Sequence, residues 1–162
     1  MKNWPAFLLF IFASGCATPA VSVLQDRTEI EDTLVEFAVQ ADAKDWTAVQ
    51  GLFMPKVKFL MGTEGKPSIV TPQEMTSGWQ KSLQNIQSVH HQIGNFRIRV
   101  GDNEASAKYY GVSIQYKPNP KHDNVRVYVG TYDVHLVKQN GKWKIDELQY
   151  LPKFTAGNLA LD

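Results

Sequence analysis

Two adjacent histidines, His90 and His91, lie in the segment SVHHQIGNF at residues 88–96, in a chain that has four histidines. Successive side chains of a β-strand point to opposite faces, so one ring should face the interior and the other should face away. Val89 and Ile93 share the face of His91. The pattern therefore predicts that His91 is the buried histidine and that His90 faces solvent or a partner subunit.

Asp42 is the predicted partner of the His91 ring. It follows Ala41, the last residue of an apolar helical stripe, so its carboxylate either points into the interior or ends the helix. A buried histidine needs hydrogen-bond partners, and a carboxylate would fix its tautomer. Such a pair can transfer protons as general acid and base. The alternative stays open: Asp42 is a solvated residue, and His91 is a core histidine with its hydrogen bonds satisfied.

Other chemistries have weaker support. Adjacent histidines on one strand cannot share an ion, and no HxH or HExxH motif is present, so we predict no metal and no cofactor. A GxSxG nucleophile elbow is absent, and GTEG at residues 62–65 lacks the ending of a phosphate-binding loop. With 17 basic and 16 acidic residues, a net charge of +1 and no basic run, the chain has no electrostatic footprint for nucleic acid.

Periodicity predicts the elements that position Asp42 and His91. The first helix is predicted from Asp26, which forms a capping-box-like start with Glu29, to Asp42. Further helices are predicted at 45–53 and 71–86, and strands at 56–62, 88–100, 105–117, 124–139 and 142–151. A change of apolar phase at Gly94 predicts a β-bulge. Helices followed by long antiparallel strands are typical of an α+β fold, with three N-terminal helices packed on one face of a curved antiparallel sheet.

The first residues have a different character. A short apolar run ends at the sequence ASGC, which resembles the lipobox of bacterial lipoproteins and places Cys16, the only cysteine, at the cleavage site. We expect residues 1–15 to be a signal peptide and 16–25 a tether lipidated at Cys16, so that the membrane is contacted only through the anchor. Ala17 after the cysteine resembles the sorting pattern for the outer membrane of Gram-negative cells, which implies the periplasmic side of that membrane. The alternative is a plain secretory signal and a soluble secreted or periplasmic protein.

Three segments together resemble the SnoaL-like branch of the nuclear transport factor 2-like superfamily: ADAKDWTAVQGLF, HHQIGNFRIRVGDNEASAKYYG and VGTYDVHLVKQNGKWKIDELQY. The closest pattern is that of the scytalone dehydratase family, whose aspartate and histidine motifs match Asp42 in DAKDW and His91 in HQIG. The resemblance implies a cone-shaped α+β domain with a deep pocket, and often a homodimer. We place the domain at residues 26–154 and a C-terminal tail at 155–162. Ala41 replaces the family's tyrosine, so scytalone itself is not the expected substrate.

Two functions follow as hypotheses. The first is a cofactor-independent lyase or isomerase in which His91 and Asp42 are the catalytic pair and Asn95 adds a hydrogen bond to a developing oxyanion. The second is a non-catalytic lipoprotein that binds a small apolar ligand or a protein partner. In either case we expect a pocket for a small hydrophobic ligand. Its expected lining residues are Phe37, Trp79 and Tyr132.

Overall fold

The computed structural model describes residues 19–118 and 123–161, with side chains from Val21 onward. Three helices and six strands form within these residues. The helices are α1 (Pro19–Ala43), α2 (Trp46–Gly51) and α3 (Pro72–Ser82), and the strands are β1 (Phe53–Met61), β2 (Ser68–Val70), β3 (Ser88–Val100), β4 (Glu104–Tyr116), β5 (Val125–Gln139) and β6 (Lys142–Gly157). The predicted α+β class is confirmed. Cys16 and the predicted signal segment lie outside the described residues, and no helix inside them is long and apolar enough to span a membrane.

The six strands of the described part form one sheet in the order β2-β1-β6-β5-β4-β3. Neighbouring strands are antiparallel except β1 and β6, which are parallel. The expectation of a wholly antiparallel sheet is therefore wrong at this one pair. The hairpin between β5 and β6 turns at Asn140 and Gly141, whose φ angles of 51° and 74° are those a type I′ turn requires.

The start of α1 at Asp26 was predicted wrongly, since the helix already begins at Pro19 and includes residues 19–25 of the expected tether. The Asp26 carboxylate does not cap the helix. It accepts hydrogen bonds from Lys138 Nζ at 2.5 Å and from Trp143 Nε1 at 3.0 Å. The bond from Lys138 is the main reason that the pKa of Asp26 lies below its usual value of 3.8. Asp26 thus fastens α1 to the β5–β6 hairpin.

The main core lies between α1 and the concave face of the sheet. Ile30 and Leu34 of α1 and Leu136 and Ile145 of the sheet are fully buried. Helix α3 begins with a capping box of Thr71 and Glu74, and it ends at Ser82 and not at residue 86 as predicted. A second apolar cluster lies beside it, and its buried members are Leu83, Ile86, Val89 and Leu161. β6 continues beyond residue 154 to Gly157, and the chain after it returns to this second cluster.

Candidate active site

The turn between α1 and α2 frees the Asp42 carboxylate. Helix α1 ends because Lys44 adopts a left-handed conformation, with φ 57°. Asp45, and not Asp42, caps α2, since its side chain accepts the N–H of the residue three positions on. The Lys44 ammonium donates to two backbone carbonyls of the α3–β3 connection. This turn is therefore fixed against the segment that leads into β3.

Asp42 and His91 make a two-point contact. Asp42 Oδ1 lies 2.6 Å from His91 Nδ1, and Asp42 Oδ2 accepts the backbone N–H of His91 at 2.9 Å. The side chains are 22% and 17% exposed, respectively, so both are largely shielded from water. Two bonds to one residue fix the plane of the carboxylate as well as its position. The expected approach of these two side chains is present.

The contact also selects a tautomer of the His91 ring. A carboxylate can only accept, so the neutral imidazole carries its proton on Nδ1 and leaves the lone pair on Nε2. His91 also lines a cavity of the described part of the chain. Nε2 is thus the ring nitrogen left for a bound molecule. It can take a proton from that molecule and return it, while Asp42 stabilises the charged ring.

Neither His90 nor Asn95 lines the cavity beside the dyad. The His90 side chain is 67% exposed, as expected, and its Nδ1 is 3.7 Å from Asp42 Oδ2. Asn95 was expected beside His91 as an oxyanion donor, and this is wrong: its side chain is exposed. The predicted bulge is confirmed, because the β3–β4 register shifts between Gly94 and Arg97. Asn95 occupies the bulge with φ 57°, which turns it away from the face of His91.

A cavity of about 490 Å³ lies beside the dyad, between the helices and the sheet. This volume is in the range of small-molecule sites. Phe37, Trp79 and Tyr132 line it, as expected from the sequence. Phe37 and Trp79 contact each other with ring centroids 5.7 Å apart, which builds an aromatic wall on the helical side. Trp46 adds a further indole at this wall.

A row of tyrosines crosses the sheet, and two of its members, Tyr132 and Tyr150, line the cavity. Tyr132 stacks on Tyr109 at 5.0 Å with an interplanar angle of 13°, and Tyr150 lies 5.0 Å from Tyr132 on the other side. Glycine makes this possible: a Cβ on Gly111 would lie 2.5 Å from the Tyr132 ring, and one on Gly130 would lie 2.5 Å from the Tyr150 ring. The two glycines therefore let the rings lie across the sheet.

Burial sets the protonation state of these tyrosines. It raises the pKa of Tyr109 and Tyr132, and for Tyr132 the neighbouring Tyr150 and Asp42 add to the effect. Both phenols stay protonated near neutral pH, so they are not available as bases. Burial also raises the pKa of Tyr150, so none of these three phenols is suited to accept a proton from a bound molecule.

Several lining residues were not found from the sequence. Ser113, Tyr128 and Thr155 continue a polar row that begins at the predicted His91, and the four residues are paired in register across four strands. Gln115, one row further, also lines the cavity. The alternation along β4 places Tyr109, Gly111, Ser113 and Gln115 on one face, which is the pattern that could have identified them. A strand face with polar residues normally points to solvent, so the pattern alone does not predict that this face lines a cavity. No cluster of three or more His, Cys, Asp or Glu side chains suited to a metal ion occurs among the described residues.

Comparisons with known proteins agree on the fold. The Kfla4162 protein from Kribbella flavida has a TM-score of 0.76 at 17% identity, with 83% of this chain and 95% of that chain covered. A putative scytalone dehydratase from Novosphingobium aromaticivorans has a TM-score of 0.72 at 15% identity, covering 85% and 90%. The hexachlorocyclohexane dehydrochlorinase LinA-type3 from Novosphingobium barchaimii gives 0.72 at 12% identity, covering 87% and 95%. At such identities the likeness concerns the fold alone.

A comparison with curated proteins found no match. The family model described as SnoaL-like domain matches residues 22–149, which is most of the chain and contains both Asp42 and His91. The chain therefore belongs to the SnoaL-like domain family.

Proposed function

We propose that this protein is a cofactor-independent lyase or isomerase that acts on a small hydrophobic substrate, with Asp42 and His91 as its acid–base dyad. The observation that carries the proposal is the 2.6 Å contact between Asp42 Oδ1 and His91 Nδ1. His91 itself lines the cavity. The contact leaves Nε2 to the substrate and places a negative charge behind the ring. This is the arrangement that a general base needs.

The reaction is a proton transfer coupled to a change of a carbon–carbon or carbon–heteroatom bond. His91 Nε2 takes a proton from a substrate carbon, and the released electron pair forms a double bond. In a lyase the pair expels a leaving group, which receives the proton from the imidazolium. In an isomerase the imidazolium returns the proton to another carbon. A placed histidine contributes roughly 10²–10⁴-fold to such a step.

The shape and lining of the cavity support a compact ring compound as substrate. Aromatic side chains form two of its walls. Its volume of about 490 Å³ is larger than a molecule of only a few atoms would fill, and it can accommodate a ring compound. Two structural relatives are named for eliminations, a putative scytalone dehydratase and a dehydrochlorinase. We infer that elimination is the first chemistry to test here.

The test is turnover of a panel of cyclic alcohols, halides and ketones, followed by mass spectrometry. His91→Ala and Asp42→Asn are expected to lower turnover by the folded domain roughly 10²–10⁴-fold, with Asp45→Asn, at the neighbouring helix cap, as a matched control. Unchanged turnover in either dyad variant would refute the mechanism. A wild-type protein that binds members of the panel and converts none would instead favour a non-catalytic binding protein.

We also propose that Cys16 carries the lipid anchor that holds the domain at the periplasmic face of the outer membrane, and that the domain is a homodimer. Metabolic labelling with an alkyne fatty acid should mark the wild type and not Cys16→Ser. Sedimentation of residues 19–162 should give twice the monomer mass. An unlabelled wild type, or a monomer at all concentrations, would contradict the respective proposal.

A further inference from the structure

A buried polar pair lies one residue row beyond the dyad. Gln115 of β4 is 9% exposed and lines the cavity, and Arg126 of β5, its partner in register, is 5% exposed. Gln115 Oε1 accepts two hydrogen bonds from Arg126, from Nε at 3.0 Å and from Nη2 at 2.8 Å. The acid–base dyad makes no use of either side chain.

The pair fixes the orientation of the Gln115 amide. An arginine has donors and no acceptor, so only the amide oxygen can face it. The amide nitrogen is then turned away from Arg126. The structure contains no hydrogen bond from Gln115 Nε2 to any described residue. Two N–H groups of a largely buried side chain in the cavity lining thus remain to be satisfied by water or by a ligand.

Arg126 is itself fixed in place. Its Nη1 donates to the carbonyl of Leu159 at 3.2 Å, and its guanidinium lies 5.5 Å from the centroid of the Tyr128 ring. Leu159 belongs to the C-terminal segment whose Leu161 is buried in the second apolar cluster. Arg126 therefore connects that segment to the cavity wall, and its orientation does not depend on a ligand.

We infer that Gln115 is a specificity-determining hydrogen-bond donor and Arg126 its positioning residue, and that the ligand is a ring compound that carries a ketone-type carbonyl oxygen. This inference deepens the proposed function and rests on the cavity as its ligand site. A carbonyl oxygen has the two lone pairs that two N–H donors can use. A hydrocarbon of the same shape would remove their water and leave both unsatisfied.

The sheet register also sets the size of the ligand. Ser113 is paired with His91, and Gln115 lies two residues further along the same face of β4. Such diagonal neighbours are about 7–8 Å apart. One bicyclic molecule can therefore place its oxygen at Gln115 and a ring carbon near His91.

The test compares two probes of nearly equal shape, the ketone β-tetralone and the hydrocarbon tetralin, by calorimetric or NMR titration. The decisive variant is Gln115→Glu, because a carboxylate keeps both bonds from Arg126 but offers no N–H to the ligand. We expect the ratio of the tetralin Kd to the β-tetralone Kd to fall by about tenfold or more, with the tetralin Kd nearly unchanged. The side-chain amide resonances of Gln115 should shift with β-tetralone and not with tetralin.

Arg126 is tested by the same ratio. Arg126→Met should lower the ratio because the amide is no longer held, and Arg126→Lys should restore part of it; a purely structural loss would weaken both probes equally. Arg97→Met, at an exposed arginine of β3, is the control. An unchanged ratio in Gln115→Glu would overturn the inference and leave the dyad untouched. Failure of both probes to bind the wild type would overturn the cavity as a ligand site, and with it the proposed function.

Discussion

Replacing Asp42 with asparagine should reverse the tautomer of His91. The backbone N–H of His91 can only donate, and Asp42 Oδ2 accepts it at 2.9 Å, so the new amide must keep its oxygen there. Its NH₂ group then faces Nδ1, which was 2.6 Å from a carboxylate oxygen. Nδ1 must become the acceptor, and the ring proton moves to Nε2. The base that faces the cavity is lost.

Two magnitudes follow from the Asp42→Asn exchange. Loss of the base should lower turnover by roughly 10²–10⁴-fold. Both hydrogen bonds persist in the variant but lose their charged partner, which should lower the free energy of unfolding by about 1–3 kcal/mol. Asp45→Asn is the matched control, because asparagine is an equally good helix cap and this residue does not touch the ring.

The assay for the Asp42→Asn prediction needs no substrate. Nitrogen-15 NMR of the imidazole, at a pH where the ring is neutral, reports which nitrogen carries the proton. The wild type and Asp45→Asn should show the Nδ1–H form of His91, and Asp42→Asn the Nε2–H form. An Nδ1–H ring in a folded Asp42→Asn protein would refute the hydrogen-bond argument.

Four further variants test the packing of the sheet and helices by chemical unfolding. Gly111→Ala should lower the free energy of unfolding by about 1–3 kcal/mol, because the new Cβ would lie 2.5 Å from the Tyr132 ring. Gly78→Ala, with open space around it in α3, should raise the free energy of unfolding by about 0.5–1 kcal/mol. Equal effects would contradict this. Tyr150→Phe should leave stability unchanged or raise it, since the hydroxyl is buried without a hydrogen-bond partner among the described residues; a clear loss would reveal a partner. Asp26→Ala should destabilise the folded protein near neutral pH. Because the pKa of Asp26 is depressed in the folded state, the stability that its carboxylate contributes is present above pH 3.8, its usual pKa, and is lost as the pH falls through the folded pKa. A destabilisation independent of pH would contradict that assignment.

The dyad could be predicted because its two partners follow from local periodicity. Val89 and Ile93 identify the buried face of β3, and Ala41 identifies the end of the buried stripe of α1. The alternation of β3 and the apolar stripe of α1 can both be recognised from a few neighbouring residues. Predicting the contact between Asp42 and His91 also requires knowing that the end of α1 lies beside β3. The family resemblance implied this arrangement.

The errors arose where a distant partner decides the local conformation. Asp26 looked like a helix cap, but Lys138, more than a hundred positions away, takes its carboxylate. The bulge was predicted from the apolar phase, yet the phase does not say which residue occupies it, so Asn95 was placed on the wrong face. The parallel pairing of β1 with β6 depends on the whole sheet order and has no local sign.

The missed cavity residues have a similar cause. Gln115 and Ser113 are polar residues on the buried face of a strand, and such residues normally mark the exposed face. Polar side chains can occupy this interior face because they line a cavity. Their role therefore becomes visible from the register across β3, β4 and β5, which joins them to His91 and Arg126.

The most direct test of the central claim is exchange of carbon-bound hydrogen with solvent. β-Tetralone is incubated in heavy water with the wild type, with His91→Gln and with Asp42→Asn, and deuterium uptake beside its carbonyl is followed by NMR. The wild type should accelerate uptake, and neither variant should do so although both still bind the ketone. Equal acceleration by the wild type and His91→Gln would show that His91 is not the base and would contradict the proposed dyad mechanism.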